Sequence, residues 1–125
     1  MRIASLEYVN NLIKSTGIPY RYVRWNTAVP DDAYFVGEYF EAPSTTLEEN
    51  GRQEATFIIR GYTRQDWLLL EQAKEKIEKA CAKTAILSDG TGIAVFYDSG
   101  MIVPTADAQI KSIKINLTIQ EWKVK

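Results

Sequence analysis

Gln53-Glu54-Ala55-Thr56-Phe57-Ile58-Ile59-Arg60-Gly61-Tyr62-Thr63 runs almost directly into Trp67-Leu68-Leu69-Leu70-Glu71, and this passage decides the fold. Ala55, Phe57 and Ile59 alternate with Thr56, Ile58 and Arg60. That period of two is a strand with one wholly apolar face. Past Tyr62 the period changes. Trp67, Leu70, Ala73, Ile77, Ala80 and Cys81 recur at helical spacing to about Lys83. The spacing Thr63-x-x-Asp66 reads as a weak capping box with Thr63 as the cap, since Asp replaces the usual Glu. At 1.5 Å per residue the helix is roughly 30 Å long, enough to cover most of a small sheet. Its far side carries Gln72, Lys76 and Lys79, with Glu71, Lys74, Glu75 and Glu78 around them, a mixed-charge face suited to solvent.

Upstream, Ile3 to Ser15 reads as a short helix with Leu6, Val9 and Ile13 on one face. Gly17 stands where a C-terminal cap belongs, and Pro19 blocks continuation. Tyr20 to Trp25 is aromatic and β-branched and reads as a strand. Pro30-Asp31-Asp32 is a turn signal. Tyr34 to Glu41 is the next strand, with Tyr34 and Phe40 on one face and Phe35 and Tyr39 on the other. Gly37 in its middle marks a bulge or a close backbone approach. Ala42 to Arg52 is a polar loop longer than a tight hairpin needs.

Downstream, Ser88 to Gly92 is a loop, Ile93 to Tyr97 a short strand, and Asp98-Ser99-Gly100 a turn from which Met101 to Val103 returns as a hairpin arm. Lys111 to Gln120 is a strand with Ile113, Ile115, Leu117 and Ile119 on one face. Its alternation shifts at Glu121-Trp122, which reads as a bulge or strand end. The order is α-β-β-β-α-β-β, with room for an extra hairpin strand. The expected fold class is α+β: one domain over residues 1–125, with a small, mostly antiparallel mixed sheet and two helices packed on one face. The strand–helix–strand passage from Gln53 to Ile93 allows one parallel pairing, which would be right-handed.

With 46% hydrophobic and 25% charged residues among 125, the chain can bury a core. A formal net charge of -1 gives no general attraction to nucleic acid. There is no histidine, which removes the Ser-His-Asp triad, histidine acid–base chemistry and Cys/His zinc sites. The single cysteine, Cys81, lies on the apolar helix stripe and reads as a small buried hydrophobe. Met1 to Glu7 holds no signal-peptide core, and no segment has the roughly 20 apolar residues that span a bilayer, so synthesis and folding in a cytosol are expected.

Asp89-Gly90-Thr91-Gly92 lacks the lysine of a Walker loop and the spacing of a dinucleotide fingerprint, so it reads as a plain loop. The carboxylate pairs Asp31–Asp32 and Glu48–Glu49 lie in loops, where solvation is the default. The aromatics Tyr20, Tyr22, Trp25, Tyr34, Phe35, Tyr39 and Phe40 have Glu38 among them, which suits core packing or a protein interface better than base stacking. No catalytic, cofactor-binding or metal-binding residues emerge.

Four stretches carry a family resemblance: Pro19-Tyr20-Arg21-Tyr22-Val23, Tyr34-Phe35-Val36-Gly37-Glu38-Tyr39, Glu54 to Thr63, and the helix start Trp67-Leu68-Leu69-Leu70-Glu71. In this order, and over roughly Leu6 to Gln120, the chain resembles the tail terminator and tail-completion proteins of long-tailed bacteriophages and prophages, also called head-to-tail joining proteins. The resemblance implies a structural, non-enzymatic role without cofactors. It implies a homo-oligomeric ring, typically a hexamer, at the head-proximal end of the tail. The expected partners are other copies, the tail tube and head-connector proteins, with no nucleic acid and no membrane. The expected location is the virion, after synthesis in the bacterial host cytoplasm. Candidate contact residues are Glu48, Glu49, Arg52, Arg60 and Arg64. Other readings are a head-closure or minor tail protein, a small cytosolic ligand-binding or regulatory α+β domain and, last, a carboxylate-dependent enzyme.

Overall fold

The computed structural model describes residues 1–41 and 53–123. Its elements are α1 (Ile3–Lys14), β1 (Tyr20–Tyr22), β2 (Ala33–Glu41), β3 (Gln53–Thr63), α2 (Trp67–Ala80), β4 (Lys83–Ile86), β5 (Thr91–Val103) and β6 (Lys111–Lys123). Six strands form one sheet in the order β1-β2-β3-β6-β5-β4. The β1–β2 pairing is parallel and the other four are antiparallel. Both helices pack on one face of this mixed sheet.

Alternation along the central strands supplies the core. Ala55, Phe57 and Ile59 of β3 and Ile113, Ile115, Leu117 and Ile119 of β6 are all buried under the helices. From α2 come Leu70, Ala73 and Ile77, and from α1 come Ser5, Val9 and Ile13. The buried stripe of α1 thus begins at Ser5, with Leu6 only half-buried. Helix α1 ends at Lys14 with Ser15 as its C-cap, and Gly17 follows in the turn beyond with φ +81°, the left-handed conformation that a side chain resists. Gly37 is a close approach and not a bulge: a Cβ there would run into the Tyr20 and Phe57 rings.

Several expectations need correction. First, α2 starts later and ends earlier. Asp66 is its N-cap, accepting the Leu68 amide at 3.1 Å. Thr63 instead ends β3, donating its hydroxyl to the Asp32 carbonyl and accepting the Gln65 amide at 3.1 Å. Second, the chain after α2 turns at once into β4, an edge strand too short and too polar to show a pattern. Third, Ile93–Tyr97 and Met101–Val103 are not hairpin arms but one strand, β5. The residues read as a turn form a bulge, where the pairing steps from Tyr97↔Leu117 to Ser99↔Asn116. A long partner, β6, holds both halves in one ladder. Fourth, α2 carries the chain from β3 past β6 and β5 to the far edge, so its flanking strands never pair. The parallel ladder is β1–β2.

The shift expected at Glu121 is likewise absent. Strand β6 continues in register, with Glu121 opposite Gln53 and Ile93, so its carboxylate points inward at 4% exposure. There it accepts the Ser5 hydroxyl at 2.6 Å and the Arg2 amide at 3.1 Å. The Arg2 guanidinium reaches the buried Thr91 hydroxyl at 3.3 Å. The start of α1, which has no side-chain cap of its own, is fastened to the sheet through this carboxylate.

Cys81 is a free, fully buried thiol, and burial pushes its pKa up to about 11. Burial also raises the Tyr20 phenol well above the usual tyrosine range, with Tyr22 and Cys81 adding to the effect. Both groups hold their protons more tightly folded than unfolded. Stability is therefore fully present below the unfolded thiol value near 9, and falls as pH rises from there toward 11. Circular dichroism against pH should show alkaline unfolding beginning in that window. Cys81→Ala should flatten the stability slope between pH 9 and 11, and a thiol reagent at pH 8 should label Cys81 only after denaturation.

Candidate interaction surface

The face opposite the helices has no covering layer among the described residues. Period-two alternation puts Tyr34, Val36, Glu38 and Phe40 of β2 there, with Thr56, Ile58, Arg60 and Tyr62 of β3. Strand β6 contributes Lys114, Asn116, Thr118 and Gln120. After the bulge, β5 presents Ser99, Met101 and Val103 on this face, and Ser99 accepts the Asn116 amide at 3.1 Å. The face thus has a polar central stripe along β6 and apolar flanks toward both sheet edges. Phe40 is 62% exposed and Met101 is 56% exposed, well beyond what a lone solvated sheet face needs.

At the β1 side an aromatic ladder crosses the face. The Arg21 guanidinium lies 4.7 Å from the Trp25 ring centroid, Trp25 meets Tyr34 edge-on at 6.2 Å, and Tyr34 stacks on Tyr62 at 5.3 Å. The Trp25 indole N–H donates to the Phe35 carbonyl at 3.1 Å, which fixes the start of the ladder. Below it, Pro30, Asp31, Tyr34, Tyr62, Arg64 and Ile110 border a cleft of about 200 Å³. That is smaller than the roughly 300–1,000 Å³ of small-molecule sites. A broader depression of about 420 Å³ lies over the helices, bordered by Leu12, Thr16 and the exposed side chains Lys76, Lys79 and Lys83. No group of three or more His, Cys, Asp or Glu side chains suited to a metal occurs among the described residues.

Arg60 sits in the open face and pairs with Glu38 across the β2–β3 ladder. Arg64 lies just past the end of β3, with its guanidinium 3.6 Å from the Asp107 carboxylate. All four partners are well exposed, so both pairs contribute little to stability and remain free to exchange partners. Glu48, Glu49 and Arg52, with the loop from Ala42 to Arg52, lie outside the described residues. The structure thus puts Arg60 on the open face and Arg64 at its border. Asp89-Gly90-Thr91-Gly92 belongs to the β4–β5 hairpin: Gly90 has φ +84° and the Asp89 carboxylate accepts the Thr91 amide at 2.9 Å. The amide a phosphate would need is already taken by a carboxylate.

Sequence reasoning missed the outer edge of β5. Strand β4 pairs only with Gly92–Val95, so among the described residues the ladder from Phe96 to Val103 has β6 on one side and no strand on the other. Past the bulge this edge reads Ser99-Gly100-Met101-Ile102-Val103, with no charge and no proline. That absence of guarding residues was the available signal, and the assignment of a hairpin turn hid it.

No protein-family model matches the chain, and no curated protein sequence does. Solved structures do share the fold. A chain of the virion of a native gene transfer agent particle superposes with a TM-score of 0.66 at 12% identity, covering 95% of this chain and 92% of that one. A second solved chain, recorded under a serial identifier alone, superposes with a TM-score of 0.70 at 11% identity over 100% of this chain and 99% of that one. At these identities the likeness is one of fold, and it extends over the whole length with no large insertion on either side.

Proposed function

We propose that this protein is a structural component of a phage-like particle, acting as a tail terminator or tail-completion protein. In this reading, copies assemble into a ring, typically a hexamer, at the head-proximal end of the tail tube. The ring stops tube growth and presents a docking surface to the head connector. The work is stereospecific assembly, and no bond is made or broken. The observation that carries the reading is the fold shared end to end with a chain of a gene transfer agent virion. The molecule's surface supports it: among the described residues, an uncovered sheet face with apolar flanks and half-covered strand edges on opposite sides of the sheet suit a subunit that mates head to tail through two different patches. Among the described residues, the cleft of about 200 Å³ is below the size of a small-molecule site and the depression of about 420 Å³ is bordered by exposed lysines, which gives the ligand-binding alternative less support.

The test is electron microscopy of particles from a strain lacking this gene. Tails of uncontrolled length, or finished tails without heads, are the expected result. Normal virions would overturn the proposal.

A further inference from the structure

Both long edges of the sheet are notched, and the notches are complementary. On one side β1 covers β2 only from Phe35 to Gly37, leaving the main chain of Glu38–Glu41 without a strand neighbour on that side among the described residues. On the other side β4 covers β5 from Gly92 to Val95, leaving the segment past the bulge without a second strand neighbour among the described residues. Across the ladder these segments lie at diagonally opposite corners. Strands β2 and β5 also run in opposite directions, because three antiparallel pairings separate them.

We infer that successive copies join through an antiparallel strand pairing of the β2 edge Glu38–Glu41 of one copy with the β5 edge Gly100–Val103 of the next. The inference rests on the ring reading above and specifies its joint. The occupant of each edge is a second copy of this chain, because each notch fits the other in direction, length, hydrogen-bond phase and face.

The hydrogen-bond phase follows from the ladders already made. Phe35 donates its amide to Pro19 at 2.8 Å, and Gly37 accepts the Val23 amide at 2.7 Å. Odd residues of β2 therefore turn their main-chain groups outward, so Tyr39 and Glu41 do the same. On β5, the Thr91 carbonyl accepts the Leu87 amide at 2.8 Å, so odd residues face β4 up to the bulge. The bulge shifts the phase by one, and Gly100 and Ile102 face outward beyond it. Setting Tyr39 opposite Ile102 and Glu41 opposite Gly100 satisfies both edges. It also sets Phe40 opposite Met101. Both of those side chains lie on the open face, while Tyr39 and Ile102 both lie on the helix-covered face, as an antiparallel ladder requires. Phe40, Met101 and Ile102 are large apolar side chains exposed in the single chain and covered in the joint.

The geometry also closes. Met101 lies opposite Lys114, Lys114 opposite Arg60 and Arg60 opposite Val36. Pairing Met101 with Phe40 of the next copy therefore steps the belt β2-β3-β6-β5 by four residues, or about 13 Å at ~3.3 Å per residue. That is one residue per strand, the ratio that tilts strands about 36° in a closed eight-stranded barrel. With this step, β1 of one copy lies beyond the Val103 end of its neighbour's β5, and the neighbour's β4 lies beyond the Glu41 end of β2. Among the described strands, the covered and half-covered segments interlock without overlap.

The experiment is a cysteine pair, Phe40→Cys with Met101→Cys, in the full chain. Oxidation of the double variant should give a ladder of covalent multimers on a non-reducing gel, ending at the ring size, while each single variant gives at most a dimer. Ile102→Pro removes an outward-facing amide and none inside the sheet. It should keep the wild-type circular dichroism spectrum and abolish self-association in sedimentation. Rings that form by sedimentation or in particles while the double variant yields no ladder would overturn this joint and leave the ring reading standing. A chain that stays monomeric at its highest soluble concentration, and is absent as a ring from particles, would remove both. Cross-linking of either cysteine to a different virion protein would also overturn it.

Discussion

Replacing Phe57 by alanine should cost about 3–5 kcal/mol of folding stability, a large share of the roughly 5–15 kcal/mol that holds an ordinary domain together. Phe57 is fully buried at the middle of β3, between Tyr39 of β2 and Leu117 of β6. Its ring stacks near Tyr22 at 6.3 Å, and it forms part of the floor under Gly37. These neighbours belong to three other strands, β1, β2 and β6, and a sheet interior cannot close over a missing ring without moving several of them, so the cavity persists. Urea denaturation reads the loss as a lower midpoint with an unchanged slope. Phe57→Leu, which keeps most of the volume, should cost less than about 1.5 kcal/mol. A loss below about 1 kcal/mol for Phe57→Ala would mean that the strand does not sit at the centre of the core.

The second large effect is expected at Glu121. Glu121→Ala should cost about 3 kcal/mol, because it strands the buried Ser5 hydroxyl and the Arg2 amide without their shared acceptor. A double-mutant cycle separates this from simple loss of packing. Ser5→Ala should remove about 1–2 kcal/mol alone. The pair Ser5→Ala with Glu121→Ala should be clearly less destabilising than the sum of the two single changes, with a coupling of about 1–3 kcal/mol. Strict additivity would show that the carboxylate and hydroxyl act independently, contrary to their 2.6 Å contact. Hydrogen exchange should locate the damage in α1, whose first turn is held to the sheet here and which has no side-chain cap to fall back on.

The core was legible wherever a period ran long enough to be read. Phe57 and Ile59 alternate in an eleven-residue strand, and Ile113 to Ile119 alternate without interruption, so the helix-covered face of both central strands follows from the residues alone. The apolar stripe of α2 was equally plain, down to Cys81 as a buried hydrophobe. Glu121 was misread for a physical reason. A charged residue in an inward position looks like the end of a pattern, because its partners, Ser5 and Arg2, lie more than a hundred residues away in sequence. Strand β4 escaped because an edge strand of four residues carries almost no periodic information. The bulge at Asp98 looked like a turn because turns and bulges favour the same small and polar residues.

The candidate surface divides the same way. Arg60 and Arg64 could be chosen from sequence as exposed cations, and both lie on or beside the open face. Their pairing with Glu38 and Asp107 could not be foreseen, since it depends on which strands become neighbours. The bare β5 edge was invisible for the same reason: an edge is a property of strand order, and strand order is set by long-range pairing.

Local chemistry alone therefore determined which residues are apolar on one side of the long central elements, and that neither histidine chemistry nor an internal disulfide is available within these residues. Tertiary structure decided that α2 leads to the far edge, that β1 is the parallel strand, and that two half-covered edges stand at opposite corners. Periodicity is written within a segment by its own side chains, whereas neighbours and edges arise only when hydrogen bonds join segments far apart in the chain.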